Sequence, residues 1–350
     1  MQQAAIFNPT YTITHTLLVN IKQVYRLVHE LNQHHFAQVA LVELQKSAEA
    51  VSSFASTSIE GNPLPLTDVK RILKNKPQNI RDSEREVLNY NEILKEINLK
   101  LAEGEVPLTL NLILQIQKKV TNKLLPAPHS GKLRPSAVFV NDPRERKTIY
   151  WPPDVEDVSD LVKQLIHFIE TNKNKIDPLI IAGIFHKQMV IIHPFMDGNG
   201  RTTRLLTKIL LADMGLNTFN LFSFENYYNQ NVTRYFEMVG VKGNYYDIAD
   251  KVDFTAWLEY FTGGIIDELL RVQKNLPTSP RKPQDELKPY HQAVLEYIKK
   301  KGFITDRDYA GLVDRAKPTR RLDFNKLIEW GLIVREGKGK NTYYVLKETP

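Results

Sequence analysis

The segment from Asp177 to Gly215 constrains the fold more than any other part of the chain, because it predicts two helices around one tight turn. Asp177 followed by Pro178 is a typical helix start, and the residues after it are mostly apolar. Beyond a turn that holds two glycines, RTTRLLTKILLADMG repeats apolar residues at helical spacing as far as Gly215. The turn is therefore expected at a helix N-terminus, where unpaired backbone N–H groups favour anions.

The turn itself, HPFMDGNGRTTR, carries the side chains of a nucleotide site. His193 titrates near neutral pH and can take a proton from a hydroxyl group. Asp197 offers a hard oxygen ligand of the kind that holds Mg²⁺ beside substrate phosphates. Arg201 and Arg204 are three residues apart, so they share a helical face and can both fork onto phosphate oxygens. These residues predict a site that binds a nucleotide polyphosphate and transfers part of it.

Residues 193–204 match the Fic family signature, HPFxDGNGRxxR, at every specified position. The resemblance implies a helical fold and transfer of AMP from ATP to a protein hydroxyl. It implies that His193 is the base and that Asp197 holds Mg²⁺ between the α- and β-phosphates. The resemblance also implies a phosphate nest formed by Gly198, Asn199 and Gly200. It further implies that Arg201 and Arg204 clamp the β- and γ-phosphates. Because both glycines are kept, it favours adenylylation over phosphorylation.

A second motif precedes the signature. The run STSIEG, from Ser56 to Gly61, resembles the (S/T)xxxE(G/N) motif by which Fic proteins inhibit themselves. The resemblance implies that Glu60 pairs with Arg204 and keeps this arginine from the γ-phosphate, so that the chain is autoinhibited in cis. The alternative is a helix end that leaves Glu60 exposed.

The main β signal is SAVFVNDPRERKTIYWPPD. Residues 138–140 and 148–151 are β-prone and flank a polar tip with Asn141, Asp142 and Pro143, which predicts a hairpin. Resemblance to the family implies that residues 136–153 form the flap, whose edge pairs with the backbone of the target. The alternative is a small surface hairpin.

Aromatic residues are dense at helical spacing in FSFENYYNQNVTRYFEMV, and most of them are expected in the core. In this region the resemblance implies that Asn231 and Tyr235 approach the adenine. His186, two helical turns before His193, is expected to be a hydrogen-bonded core histidine. Val190 departs from the family, many members of which carry Glu there.

The chain divides into four predicted parts. Residues 1–100 form an N-terminal helical region with the inhibitory helix around 52–61, and 101–276 form the catalytic core. Residues 277–288 are rich in proline and charge and predict a linker. Residues 289–350 predict three helices and a β-hairpin, the order of a winged helix. The expected fold is thus a mainly α Fic bundle with a hairpin flap and a winged-helix domain.

The excess positive charge belongs to the C-terminal part. Residues 281–350 hold 16 Lys and Arg against 10 Asp and Glu, whereas the whole chain holds 47 against 40. DNA contact through residues 317–340 is one interpretation. The alternative is a protein-interaction or dimerisation domain. The expected phosphate contacts lie at the start of the third helix and at the wing tip, at Lys317, Arg320, Arg321, Lys338 and Lys340.

Composition excludes several classes of function. The chain has no cysteine, so disulfides and thiolate catalysis are excluded. No signal peptide and no apolar run near the ~20 residues of a membrane span are visible, so a cytoplasmic protein is expected.

The leading hypothesis is an AMP transferase whose partners are ATP and a hydroxyl-bearing protein, which includes itself. A homodimer is compatible with the sequence. The alternatives are removal of AMP, transfer of another phosphate group, or a DNA-binding regulator.

Overall fold

A computed structural model describes residues 7–33, 38–142, 147–212, 215–216, 218–276 and 287–347. The fold is mainly α-helical, as the sequence predicts, and it divides into two compact units. Unit 1 comprises Met1–Asn32 and Ala48–Lys274, and unit 2 comprises Gln33–Ser47 and Asn275–Pro350. Most of the predicted linker, residues 277–286, lies outside the described residues. Within the described ranges no helix is long and apolar enough to cross a bilayer.

Unit 1 is built from helices that bury one or more faces. Its first helices are α1 (His15–Asn32), α2 (Gln38–Ile59), α3 (Leu66–Lys74), α4 (Asp82–Glu103) and α5 (Leu110–Val120). They are followed by α6 (Val155–Asn172), α7 (Pro178–Ile192), α8 (Asn199–Ala212), α9 (Glu225–Gln230), α10 (Val232–Val239), α11 (Tyr245–Ile248) and α12 (Thr255–Asn275). Helix α2 begins in the stretch assigned to unit 2 and ends in unit 1.

The packed pair α7 and α8 lies at the centre of unit 1. Helix α7 begins where the sequence predicts, with the Asp177 carboxylate accepting a hydrogen bond from Leu179 N (2.9 Å) and Pro178 in the first turn. Nearly all its side chains are buried, which accounts for its apolar character on every face. His186 is fully buried and contacts Tyr235 Oη and Thr207 Oγ1, so it is a core histidine.

A small sheet lies beside this helix pair. Its strands are β1 (Val140–Asp142), β2 (Lys147–Trp151) and β3 (Gly243–Asn244), in the order β1-β2-β3. The predicted hairpin is present as the antiparallel pair β1–β2. Asn141 and Asp142, expected in the polar tip, belong instead to β1 because they pair with Thr148 and Lys147. Residues 143–146 lie outside the described residues.

Unit 2 contains α13 (Pro289–Lys301), α14 (Asp306–Leu312), α15 (Lys317–Glu329), β4 (Ile333–Glu336) and β5 (Tyr343–Leu346). The strands pair antiparallel, so three helices precede a hairpin, in the predicted order. The core contains Val294, Ile298, Phe324, Leu327 and Trp330. Val42, from the first part of α2, packs against this core.

Candidate active site

His193 stands at the end of α7 in a constrained backbone conformation. Its φ of 50° and ψ of 59° are left-handed, a region that non-glycine residues seldom adopt. Its Nδ1 lies 3.4 Å from Val190 O, so the main chain of residue 190 contacts the ring. Burial lowers the pKa of His193 and outweighs the opposite effects of nearby acids such as Glu60. The imidazole is therefore neutral, and competent as a base, at neutral pH.

Arg134 holds the backbone around His193. Its Nε donates to His193 O (2.9 Å), its own N–H donates to Pro194 O (2.9 Å), and Nη2 donates to Pro153 O. The side chain is only 2% exposed, and this burial lowers the pKa of the guanidinium. Arg134 thus ties the base of the hairpin to the signature turn. The sequence motifs assign no role to Arg134.

The signature turn is closed by reciprocal hydrogen bonds. Asn199 Nδ2 donates to Phe195 O (2.8 Å), and Phe195 N donates to Asn199 Oδ1 (2.9 Å). Gly198 has a φ of 80°, which glycine adopts at little cost. The turn leads into α8 at Asn199, so the glycine turn does lie at a helix N-terminus. The side chain of Asn199 shapes the turn, which leaves backbone N–H groups as the anion-binding element.

Asp197 lies at the edge of the site, with 49% of its side chain exposed. Its Oδ1 accepts hydrogen bonds from Gly198 N (2.6 Å) and from Arg201 Nη2 (2.9 Å). In the described part of the chain no three His, Asp or Glu residues are grouped to hold a metal. One exposed carboxylate still fits Mg²⁺, because this ion keeps several waters and uses one or two carboxylates with substrate phosphates.

Arg201 is nearly buried and contacts two carboxylates. Besides Asp197 it meets Glu86, whose Oε1 lies 2.6 Å from Nη1. Asn62 Nδ2 donates to the other oxygen of Glu86 at 2.6 Å. Burial raises the pKa of Glu86, partly offset by the positive charge of Arg201. The sequence motifs identify neither Glu86 nor Asn62, since both residues lie outside them and reach Arg201 only through the tertiary fold.

Arg204 is fully buried and is held by the end of α2. Its Nε donates to Ser56 Oγ and its Nη2 to Ser56 O (both 2.8 Å), while Nη2 also donates to Glu60 Oε1 at 2.7 Å. Burial lowers the pKa of Arg204, but Glu60, Tyr235 and Tyr90 together outweigh this effect, and the net shift is upward. The structure therefore contains the pair between Glu60 and Arg204 that the resemblance implies.

Gly200 makes this pair sterically feasible. A Cβ atom at this position would lie 2.0 Å from Glu60 Oε1, closer than any side chain tolerates. The Glu60 carboxylate therefore occupies space at the first turn of α8 that only a glycine leaves open. This is also the position at which the helix N-terminus favours an anion.

Most of the signature residues and Glu60 line one cavity of about 140 Å³, whereas Arg201 is not in its lining. Its lining includes Glu60, Val190, His193, Met196, Asp197, Gly198, Asn199, Gly200, Arg204, Tyr235, Phe236 and Val239. With Glu60 in place it is smaller than the ~300–1,000 Å³ typical of ligand pockets. Tyr235, expected near the adenine, is part of the lining. Asn231, expected beside it, is exposed, caps α10 by accepting from Arg234 N (3.0 Å), and is not in the lining.

The hairpin is anchored to the same helix pair. Tyr150 Oη donates to Ile191 O (2.8 Å) and its ring is buried. Phe139 and Trp151 are in contrast exposed, at 57% and 41%. In the described sheet β1 is an outer strand that pairs only with β2, and an open strand edge of this kind is what the flap interpretation requires.

In unit 2 the expected phosphate contacts separate into two groups. Lys317 and Arg321 are exposed near the start of α15, and Lys338 is exposed in the hairpin. Arg320 is engaged within the unit, because Nε and Nη2 donate to the two oxygens of Asp306 at 3.0 and 2.9 Å. The Lys340 side chain lies outside the described residues.

The chain is similar to known proteins in sequence and in fold. Residues 107–211 match the model of the Fic/DOC family. A protein adenylyltransferase Fic from Drosophila grimshawi is 30% identical over 189 residues, 53% of this chain and 37% of that relative. One from Nematostella vectensis is 33% identical over 169 residues, 46% of this chain and 37% of the relative. This chain thus spans well under half the length of either relative.

A solved structure resembles almost the whole chain. The crystal structure of a Fic family protein from Desulfovibrio desulfuricans G20 aligns with a TM-score of 0.64 and 20% identity, covering 98% of this chain and 99% of that one. At this identity the likeness concerns the fold. The chain therefore has a fold similar to that of this Fic family protein, and its residues 107–211 match the Fic/DOC family.

Proposed function

We propose that the protein is an adenylyltransferase that moves AMP from ATP to a hydroxyl group of a protein, and that Glu60 holds it inactive. The observation that carries the proposal is the single cavity shared by His193, the N-terminus of α8 and Arg204. A base, an anion-binding helix end and a cation are the groups that phosphoryl chemistry requires. The names of the relatives support AMP as the transferred group.

In the proposed reaction His193 takes the proton of the attacking hydroxyl. The hydroxyl oxygen bonds to the α-phosphorus of ATP, the bond from this phosphorus to the bridging oxygen breaks, and pyrophosphate leaves. The lowered pKa of His193 supports this role, because a neutral imidazole is ready to accept the proton. Arg134 fixes the main chain at His193 and Pro194 and so orients the base.

The phosphates are assigned to the turn and to α8. Backbone N–H groups at residues 198–200 would receive phosphate oxygens, with Arg201 and Arg204 as the cationic clamp. Mg²⁺, held by Asp197, would supply positive charge to the α- and β-phosphates. An exposed hydroxyl side chain of Ser, Thr or Tyr would approach beneath the hairpin, whose edge offers backbone pairing to the target.

Self-inhibition follows from the contacts of Glu60. While its carboxylate accepts from Arg204, that arginine is unavailable for the γ-phosphate, and the carboxylate itself repels the phosphates. ATP then lacks the contact that aligns its α-phosphate for attack. Removal of the Glu60 carboxylate should therefore activate the enzyme.

Radiolabelled ATP tests the transferred group. The Glu60→Gly protein is incubated with Mg·ATP labelled on either the α- or the γ-phosphate, with His193→Ala in the same background as control. Label from the α-phosphate alone, lost with His193→Ala, supports AMP transfer. Label from the γ-phosphate contradicts it. Release of AMP from a pre-labelled protein would assign the reverse reaction, in which Glu60 positions water.

The C-terminal module supports a second candidate function, DNA binding. Exposed Lys317, Arg321 and Lys338 and the net positive charge of residues 281–350 favour it. Duplex DNA binding by the full chain should weaken as salt rises, and it should weaken further in Lys317→Ala/Arg321→Ala. No binding at low salt would assign the module to protein contacts instead.

A further inference from the structure

Arg201 is restrained as fully as Arg204, by a residue outside the inhibitory motif. Nη1 contacts Glu86 Oε1 at 2.6 Å, and Nη2 contacts Asp197 Oδ1 at 2.9 Å. The guanidinium is 5% exposed and the Glu86 side chain 16% exposed. Both terminal nitrogens of Arg201 therefore face carboxylates, and the contact with Glu86 lies in a mostly desolvated setting, where such contacts are strong.

Asn62 connects Glu86 to the inhibitory segment. Its Nδ2 donates to Glu86 Oε2 (2.6 Å) and to Ser83 O (2.9 Å), and its Oδ1 accepts from Leu64 N (3.1 Å). Asn62 is 9% exposed and follows Glu60 by two residues. The turn after α2 is thereby fastened to α4.

These contacts form a closed ring. From α8 it runs through Arg204 to Glu60, along the turn to Asn62, across to Glu86, and back to α8 at Arg201. Arg201 and Arg204 are one helical turn apart on α8. The turn after α2 is held through Glu60 on Arg204 and through Asn62 on Glu86, so the position of the Glu60 carboxylate depends on both contacts. Loosening Asn62 removes one of them without touching Glu60 or Arg204.

We propose that Glu86 and Asn62 form a second arm of self-inhibition, in which Glu86 withholds Arg201 from phosphate and Asn62 keeps Glu60 seated on Arg204. The inference rests on the proposed AMP transfer. Both are positioning residues, since neither lines the cavity. If the pair only anchored Arg201, its loss would impair the site, whereas a restraint predicts a gain. The two roles therefore differ in the sign of the effect.

The first experiment substitutes Asn62→Ala with Glu60 present and with Glu60→Gly. Self-labelling by AMP should rise about tenfold when Glu60 is present, equivalent to about 1.4 kcal/mol and to the loss of one hydrogen bond to a charged group. It should not rise further in the Glu60→Gly protein, where no Glu60 carboxylate remains for Asn62 to hold on Arg204. A fall, or an equal rise in both backgrounds, would overturn the proposal.

Asn89→Ala is the matched control. Asn89 is similarly buried at 7%, and its Nδ2 also donates two hydrogen bonds, to Val120 O (3.1 Å) and Asn122 O (2.8 Å). Its loss should cost comparable stability and leave self-labelling unchanged. Activation by Asn89→Ala would show that general loosening, and not release of the turn, raises activity.

The second experiment isolates the charge of Glu86. In the Glu60→Gly background, Glu86→Gln should lower the KM for ATP about fivefold, which corresponds to about 1 kcal/mol, and leave kcat unchanged. The reason is that Arg201 no longer has to give up its contact with the Glu86 carboxylate in order to bind phosphate. The control is Glu268→Gln, since Glu268 is also buried and bonded to an amide and a guanidinium, those of Asn226 and Arg271. A higher KM or lower kcat with Glu86→Gln alone would assign Glu86 an anchoring role.

Hydrogen exchange separates failure of this inference from failure of the proposed function. The N–H groups of Glu60 and Asn62 donate to Thr57 O at 3.0 and 3.1 Å, which closes the end of α2. Asn62→Ala should speed their exchange about tenfold, whatever reaction the site performs. Faster exchange without AMP transfer in any variant would sink only the proposed function. The opposite outcome is AMP transfer by the Glu60→Gly protein together with exchange and labelling that Asn62→Ala leaves unchanged. That result would contradict only the second arm.

Discussion

Gly200 is the position at which one added atom should reveal the inhibitory contact. A Cβ there would lie 2.0 Å from Glu60 Oε1 and 2.8 Å from Arg204 Nη1. The backbone itself accepts alanine, because Gly200 lies in the first turn of α8 and is not among the residues with positive φ. Gly200→Ala should therefore expel the Glu60 carboxylate from Arg204 and leave α8 intact.

The size of the effect follows from burial. Breaking a buried ion pair by removing one partner costs about 3–5 kcal/mol. Glu60 is 29% exposed and Arg204 keeps its bonds to Ser56, so we expect a smaller loss of about 1–3 kcal/mol. Alanine in place of glycine within a helix contributes up to about 1 kcal/mol in the opposite direction. With Glu60→Gly the clash with the carboxylate is gone, and the helix contribution and the contact with Arg204 Nη1 remain.

Urea denaturation of four proteins measures the difference as a double-mutant cycle. Gly200→Ala should lower the free energy of unfolding with Glu60 present and leave it unchanged or raise it with Glu60→Gly, a coupling of about 1–3 kcal/mol. Gly263→Ala is the control, because its Cβ meets nothing within 4 Å and should act equally in both backgrounds. Equal effects of Gly200→Ala in both backgrounds would refute the placement of Glu60 at α8.

Three further predictions concern the base and its surroundings. As the pH is lowered, kcat of the Glu60→Gly protein should stay constant to about pH 6.5, the ordinary histidine pKa, and fall only below it. The reason is that burial lowers the pKa of His193. A fall in kcat that begins above pH 7 would contradict this. Arg134→Ala should reduce kcat at least about tenfold while the KM for ATP changes little, measured by steady-state kinetics; unchanged kcat would remove its orienting role. Ser56→Ala should activate self-labelling less than Glu60→Gly, since Arg204 keeps two of its three bonds to α2; equal activation would contradict this.

The elements around the site were predictable because their signals are local. Asp177 and Pro178 set the start of α7, and Gly198 precedes the start of α8 at Asn199. The hairpin follows from β-prone residues around a polar tip, and α15 begins at Lys317, near which the third C-terminal helix is expected to start. In each case a few neighbouring residues determine a cap, a turn or a period.

The remaining features depend on contacts between distant segments. Glu86 belongs to a helix with no motif, and its partnership with Arg201 exists only because α4 packs beside α8. The same holds for Arg320, whose charge suggests phosphate contact but which forks onto Asp306 of the preceding helix. The pairing of Glu60 with Arg204 is predicted only through the resemblance to the inhibitory motif of the family, because the sequence separation of the two residues does not indicate a contact.

Intact mass spectrometry tests the central claim most directly. Three proteins are incubated with Mg·ATP, and the intact mass of each is measured. They are the unmodified chain, the Glu60→Gly variant and the Glu60→Gly/His193→Ala variant. The account predicts a mass gain equal to AMP in the Glu60→Gly protein, little gain in the unmodified chain, and none without His193. Equal gain in the unmodified and Glu60→Gly proteins would contradict self-inhibition, and a gain that survives loss of His193 would contradict its role as the base.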